Sequence, residues 1–261
     1  MTQNDFNTLK ESFSAYADAF IYESEDAGPF ILKKEHTFRV CQNIRMIAES
    51  ITLCSKDLLM AETAALFHDI GRFRQFKEYA TFVDSMSENH ALLSCQVIDG
   101  QRLLDGYGRE EAKQIRDAVF YHNMYRPPAG LDEPTSCLTK ILRDADKLDI
   151  LDVVTRRYLS EENDHDSYVI LYLADDGKIS PGLLEDLFQR RVADGSKVKR
   201  LNDLKLLQIS WIFDLNFDVS IQKTIEKGYM EKIFSTMPAS DDLNHAKTFI
   251  DSYTAEKIHC Q

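Results

Sequence analysis

Apolar side chains in this 261-residue chain recur at intervals of three and four, the repeat of helices with one buried face. A first helix is expected over about 8–24, followed by a turn at DAGPF, 26–30. From about Lys33 to Ser50 the repeat places Val40, Ile44, Ile47 and Ile51 on one side. A third helix, starting near Asp57 after a Ser55 cap and ending at Phe67, is apolar nearly all round (LLMAETAALF), which suits the centre of a bundle. Residues 71–87 mix charges with aromatics without a clean period and read as an ordered loop. Helices over about 88–104 and 109–123 come next, then a loop at YRPPAGLDEPTS, 125–136, whose paired prolines forbid helix continuation. A long helix over about 137–159 precedes two surface loops, ENDHD at 162–166 and ADDGKISPG at 174–182. Further helices are expected over 183–192, 200–216, 219–235 and 240–258. The fold class is all-α. One helical unit over 1–261 is preferred, with a C-terminal helical extension from 160 to 261.

The same periodicity locates the histidines. His36 shares a face with Val40 and Ile44, His68 follows Ala61 and Ala65, His90 shares a face with Leu93 and Val97, and His122 follows Ile115 and Val119. Four of the seven histidines thus point inward from four helices, while His165, His245 and His259 lie in polar surroundings and are expected to be exposed. Any single inward histidine can be a hydrogen-bonded core residue. Four together would each need partners for both ring nitrogens, and an unpaired buried polar group costs about 1–3 kcal/mol. One shared metal site satisfies several at once, and helix-bundle cores commonly hold such sites. His68 and Asp69 are consecutive, so in a helix they would point about 100° apart. Both reach one ion only where the helix ends, and Gly71 is expected to supply that termination. A further carboxylate is expected from LRDADKLDIL. Asp144 and Asp146 face opposite sides, so at most one joins the site, and periodicity does not choose between them. Asp149 and Asp152 read as supporting or surface residues.

Composition narrows the partners. A net charge of −12 argues against a polyanion-binding surface, so no nucleic-acid polymer is expected, while a small phosphorylated substrate needs only a local cation cluster or a metal. The five cysteines (Cys41, Cys54, Cys95, Cys137 and Cys260) are scattered without a C-x-x-C, which disfavours a disulfide framework or a thiolate zinc site and suits a reducing cytoplasm. Neither a signal peptide at MTQNDFNTLKESF nor a membrane-spanning apolar run is evident. No Gly-rich phosphate loop and no G-x-S-x-G elbow occurs. Leu207, Trp211 and Leu215 form a stripe for core packing or for a homodimer face.

The ordered set His36, His68-Asp69 and an Asp within A-D-K-L-D resembles the HD-domain superfamily of metal-dependent phosphohydrolases. The string HDIGRFRQFKEYATFVDSMSENHA is also similar to a group of bacterial HD proteins. The resemblance covers about residues 30–155, the expected metal-binding core. It implies that Asp146, which follows Ala145, is the ligand rather than Asp144, and that His90 and His122 correspond to the extra histidines of two-metal members. His36, His68, Asp69 and Asp146 would then hold one metal, and Asp69, His90 and His122 a second. Imidazole and carboxylate ligands without thiolate suit Fe, Mn, Zn, Ni or Co better than Mg. The implied reaction is hydrolysis of a phosphomonoester or phosphodiester, of a nucleotide or nucleotide-derived molecule, by a metal-activated water.

Asp69 and Arg72 are the expected catalytic residues, and Arg72, Arg74, Lys77 and Lys147 the expected substrate contacts, with ordinary charges of a solvated loop an equal reading for Arg74 and Lys77 and an ion pair with a neighbouring acid an equal one for Lys147. Arg72 stands where related proteins often carry a phosphate-contacting Lys, and its guanidinium can fork to two phosphate oxygens. Tyr79, Thr81 and Asp84 are candidate pocket residues. Two rival readings share the ligand set: a module that senses a nucleotide or metal without turnover, and a di-iron oxygenase.

Overall fold

The structure, a computed structural model, describes residues 1–160, 169–171 and 173–259. His165 and the ENDHD segment, Cys260 and the side chain of His259 lie outside the described residues. Among the described residues all regular structure is helical, in twelve α-helices and three short 3-10 turns. None of those helices is long and apolar enough to cross a membrane. The chain divides into two compact units, Met1–Asp149 and Ile150–Gln261, so the boundary falls earlier than the expected 160 and inside a helix.

In the first unit, α1 (Gln3–Glu23) opens on a capping box, in which the Thr2 hydroxyl accepts from Asp5 N–H and the Asp5 carboxylate accepts from Thr2 N–H. Helix α2 (Gly28–Ser50) starts inside the expected turn, because Pro29 in the first helical turn gives up an N–H that would have no partner there. Helix α3 (Ser55–Phe67) is capped by Cys54, whose sulfur accepts from Asp57 N–H, rather than by Ser55. Every residue from Leu59 to Phe67 is buried, and α1, α2 and α6 (Arg109–Tyr121) pack around this helix. The one charge in that run, Glu62, is held by Arg45 at 2.5 Å.

Residues 71–87 correct the sequence reading, for they are not one loop. Gly71–Tyr79 is a helix, α4, which packs on α5 (His90–Gly100). Its apolar stripe is narrow, carried by Phe73 and Phe76 among charges, and tertiary packing rather than local pattern decides it. Phe73 is fully buried amid the rings of Phe13, Tyr16, Phe20 and Phe30. The helix stops where Ala80 turns left-handed, at φ 51°. A 3-10 turn, Asp84–Met86, leads into α5, and Asn89 caps that helix by accepting from Leu92 N–H. Asp132 starts the long α7 (Glu133–Leu159) by accepting from the Thr135 N–H.

Gly71 is a second correction. It opens α4 instead of ending α3, and its φ is not left-handed. A Cβ there would lie 2.4 Å from Ser94 N and 2.6 Å from the Leu93 carbonyl carbon, so glycine is required by close approach of α4 to α5.

The second unit contains α8 (Leu183–Phe188), α9 (Leu201–Ser210), α10 (Asp218–Glu226), α11 (Tyr229–Ser235) and α12 (Asp241–His259), with 3-10 turns at Gly195–Lys197 and Trp211–Asp214. The single helix expected over 219–235 is broken between Glu226 and Tyr229, where Gly228 has φ 62°. Leu187, Leu206, Ile209, Ile233 and Ile250 centre the core, and Leu207, Trp211 and Leu215 pack against it half-buried. Buried Asp203 gathers Ser180, Lys199 and Arg200 by accepting from their backbone N–H groups and from the Ser180 hydroxyl. His245 is exposed, as expected, with its ring 4.7 Å from that of Phe188.

Gly71→Ala is expected to lower stability by about 1–3 kcal/mol, because the added methyl meets backbone that cannot move alone. Gly106→Ala, with open space around it, should stay within about 0.5 kcal/mol. Denaturant unfolding of both variants checks this, and equal stabilities would refute the close-approach account.

Candidate metal centre

Five helices of the first unit deliver side chains to one place. His36 comes from the middle of α2, His68 and Asp69 from the turn after α3, His90 from the first residue of α5, His122 from the end of α6, and Asp146 from the middle of α7. His68 is the C-cap of α3 and His122 that of α6. At such a terminus consecutive side chains can converge, which lets His68 and Asp69 face one point. Ser94 fixes that turn: its hydroxyl donates to the His68 carbonyl at 2.7 Å and accepts from Gly71 N–H at 2.9 Å.

Nε2 of His36 lies 3.2 Å from Nε2 of His68, and Nε2 of His90 lies 3.1 Å from Nε2 of His122. The carboxylates sit between and beside these pairs. Asp146 Oδ1 is 3.2 Å from His36 and 3.7 Å from His68. Asp69 presents one oxygen to each pair, Oδ2 at 3.5 Å from His36 and 3.7 Å from His68, Oδ1 at 3.6 Å from His90. Two overlapping groups, His36–His68–Asp146 and His68–Asp69–His122, have ligand atoms close enough together to hold an ion. Asp144 is buried elsewhere on the helix and joins neither group.

The outer nitrogens decide the protonation of the rings. Nδ1 of His68 is 2.7 Å from the Ala65 carbonyl and Nδ1 of His122 is 2.6 Å from the Val119 carbonyl. A carbonyl only accepts, so both Nδ1 atoms carry the hydrogen. Nδ1 of His36 lies 2.7 Å from Asp149 and Nδ1 of His90 lies 2.7 Å from Asp84, again acceptors. In the neutral rings the Nε2 atoms of each pair therefore aim lone pairs at one another, an arrangement relieved by a proton on one ring or by a metal cation between them. Asp146 Oδ1 is buried with no hydrogen-bond donor, a second orphan aimed at the same point. The residues present fit a divalent metal.

Charge follows the same logic. Burial alone would raise the Asp69 carboxyl, but Lys33, His68, Arg72 and His90 hold it well below the usual range. Asp146 is likewise held down, against its burial, by His36 and His68. Burial and Lys33 pull His36 down, and Asp146 and Asp149 more than offset them, so it rises. His90 is lowered by burial and Arg72, and His122 is pushed down to about 3 by burial and the neighbouring imidazoles. Neither ring of that pair readily takes the proton that would separate the two lone pairs.

The expected substrate contacts divide. Arg72 lies at the cluster, with Nε 3.4 Å from Asp69 Oδ1 and Nη1 anchored by the Phe82 carbonyl, Gln75 and Asp84. Lys147 is buried on the helix that carries Asp146. Arg74 and Lys77 are not brought there. Arg74 pairs with Glu78 and Gln96, and Lys77 with Glu23. Residues two and five along from Arg72 point to other sides of α4. Of the candidate pocket residues, Asp84 orients His90 and binds Arg72, Tyr79 bonds Glu88, and Thr81 accepts from Val83 N–H.

Sequence reasoning missed Lys33, whose ammonium sits 2.8 Å from Asp69 Oδ2, and underweighted Asp149, which holds His36 and is itself held by Arg39 at 2.6 Å. A signal existed for both: Lys33 is three residues before His36 and Asp149 three after Asp146, spacings that share a helix face.

Among the described residues the fold is helical throughout and encloses a buried histidine–carboxylate cluster that could hold a metal ion. The HD domain family model matches residues 34–151, a span that contains all six clustered residues, and this stretch of the chain is an HD domain. No curated protein and no solved structure matches the chain.

Asp149→Asn should weaken metal affinity roughly 10- to 100-fold, the usual cost of losing a ligand's orienting partner, while the helical content is retained. Competition with a chromogenic chelator measures this, and unchanged affinity would remove Asp149 from the site.

Proposed function

We propose that this protein is a metal-dependent phosphohydrolase acting on a small phosphorylated compound, with nucleotides and nucleotide-derived molecules as the first class to test. One observation carries the reading: four imidazoles with their outer nitrogens engaged turn four Nε2 lone pairs toward each other and toward Asp69 and Asp146. His36, His68, Asp69 and Asp146 would hold one divalent ion, and Asp69, His90 and His122 a second, drawn from Fe, Mn, Zn, Ni, Co or, less suitably, Mg. Bound there, such ions supply a Lewis acid that lowers the pKa of water toward neutrality and neutralises phosphoryl charge.

The chain's own residues do the rest. Asp69 serves both halves, one oxygen to each. Asp149, Asp84 and the carbonyls of Ala65 and Val119 keep the imidazoles in the tautomer that offers Nε2 inward. Arg72, its Nη1 fixed by three acceptors, keeps its Nε edge at Asp69, within reach of a phosphoryl oxygen beside that carboxylate. Arg74 and Lys77 have no part in this arrangement.

Elemental analysis of protein expressed with added transition metals should find one to two ions per chain, and protein without metal would refute the reading. His68→Ala and Asp69→Ala should each lose metal and roughly a hundredfold or more of phosphatase activity against a panel of phosphorylated metabolites. Arg74→Ala should stay within about twofold of the parent, since its partners are exposed ones. Full metal occupancy with no turnover anywhere in the panel would instead favour a sensing module.

A further inference from the structure

Lys33 and Arg72 approach the centre from different helices, α2 and α4, yet share one support. The Lys33 ammonium lies 5.3 Å from the centroid of the Phe82 ring and the Arg72 guanidinium carbon 5.8 Å from it. Phe82 is buried, and both cations are largely so, with 15% and 14% of their side-chain surface exposed. Each meets a different oxygen of Asp69, Lys33 at Oδ2 and Arg72 at Oδ1. Arg72 is pinned through Nη1, while its buried Nε has no hydrogen-bond acceptor. Two cations therefore flank one carboxylate on a common aromatic platform.

If Asp69 is a metal ligand, that balance changes. Its two oxygens are committed to the ions, and Lys33 keeps only the ring face for company. A nearly buried ammonium without a counter-charge is costly. The partner that restores balance must bring negative charge to the side of Asp69 where both cations lie. A monoester or terminal phosphate carries two charges over three free oxygens near neutral pH, whereas a diester offers one charge over two.

We infer that Lys33 and Arg72, held together by Phe82, form a two-cation seat for a doubly charged phosphoryl group, which makes phosphomonoesters and terminal phosphates the substrates in preference to phosphodiesters. This rests on the metal-dependent reading above and deepens it. Lys33 contributes binding and orientation at the phosphoryl oxygens, and Phe82 is a positioning residue that sets the spacing of the two charges.

The experiment uses full-length protein loaded with Mn²⁺, with metal content measured for every sample. Isothermal titration with inorganic phosphate is compared for the parent, Lys33→Met, which keeps the stem over Phe82 but removes the charge, and Lys33→Arg. Lys33→Met should keep its metal yet bind phosphate roughly 10- to 100-fold more weakly, the loss of one charge-assisted hydrogen bond. Lys33→Arg should recover most of that loss. Hydrolysis of p-nitrophenyl phosphate should exceed that of bis(p-nitrophenyl) phosphate in the parent, and the ratio should fall at least about tenfold in Lys33→Met. Unchanged phosphate affinity in metal-loaded Lys33→Met, or a parent preference for the diester, overturns the two-cation seat alone. So does a Lys33→Met variant altered only in metal affinity, which would make Lys33 a mere occupant of Asp69. A parent that takes up no metal overturns the phosphohydrolase reading itself.

Discussion

Lone pairs facing lone pairs are the constraint on which the first unit is organised. Nε2 atoms 3.1 and 3.2 Å apart repel unless a positive charge lies between them. The chain nevertheless spends five helices on bringing them there. Each ring is locked from behind, by a carboxylate or by a carbonyl of its own helix, so none can rotate to relieve the contact. Asp69, flanked by Lys33 and Arg72, is held below the usual carboxylate range despite its burial. The arrangement makes physical sense as half of a complex whose other half is a divalent cation.

Helix ends do much of this work. A residue in mid-helix presents one side chain per face, but a terminus lets neighbours converge, and His68, Asp69, His90 and His122 all sit at such places. The polypeptide between α3 and α5 is tightly braced: Ser94 ties the His68 carbonyl to the start of α4, and Gly71 lets α4 and α5 come within backbone contact. The same stretch carries Arg72 and Phe82, so the group expected to meet phosphate is built on the frame that aims the ligands.

The sequence displays these features unevenly. Helix α3 is legible because nine consecutive buried positions leave no polar face to confuse the pattern. Helix α4 is not, because Phe73 and Phe76 are two anchors among charges and their value depends on rings contributed by α1 and α2. The break at Gly228 is a backbone event that hydrophobic periodicity does not register. At the site, inward histidines follow from spacing alone, whereas the choice of Asp146 over Asp144 needed the family pattern. Arg74 and Lys77 share with Arg72 only their closeness to His68-Asp69 in sequence; the helix that carries all three sends them elsewhere. Lys33 is not legible, because a lysine near a helix start looks like ordinary surface charge until a buried carboxylate is found beside it.

The two halves of the centre are backed alike. In each, one imidazole leans on a full negative charge, Asp149 behind His36 and Asp84 behind His90, and the other on a peptide dipole, Ala65 behind His68 and Val119 behind His122. Asp69 divides itself between the two halves. What remains unequal is Asp146, which belongs to the His36–His68 half alone. If each half holds an ion, that one carboxylate would make the side of α2 and α7 the stronger berth, and scarcity of metal would empty the two halves in a set order.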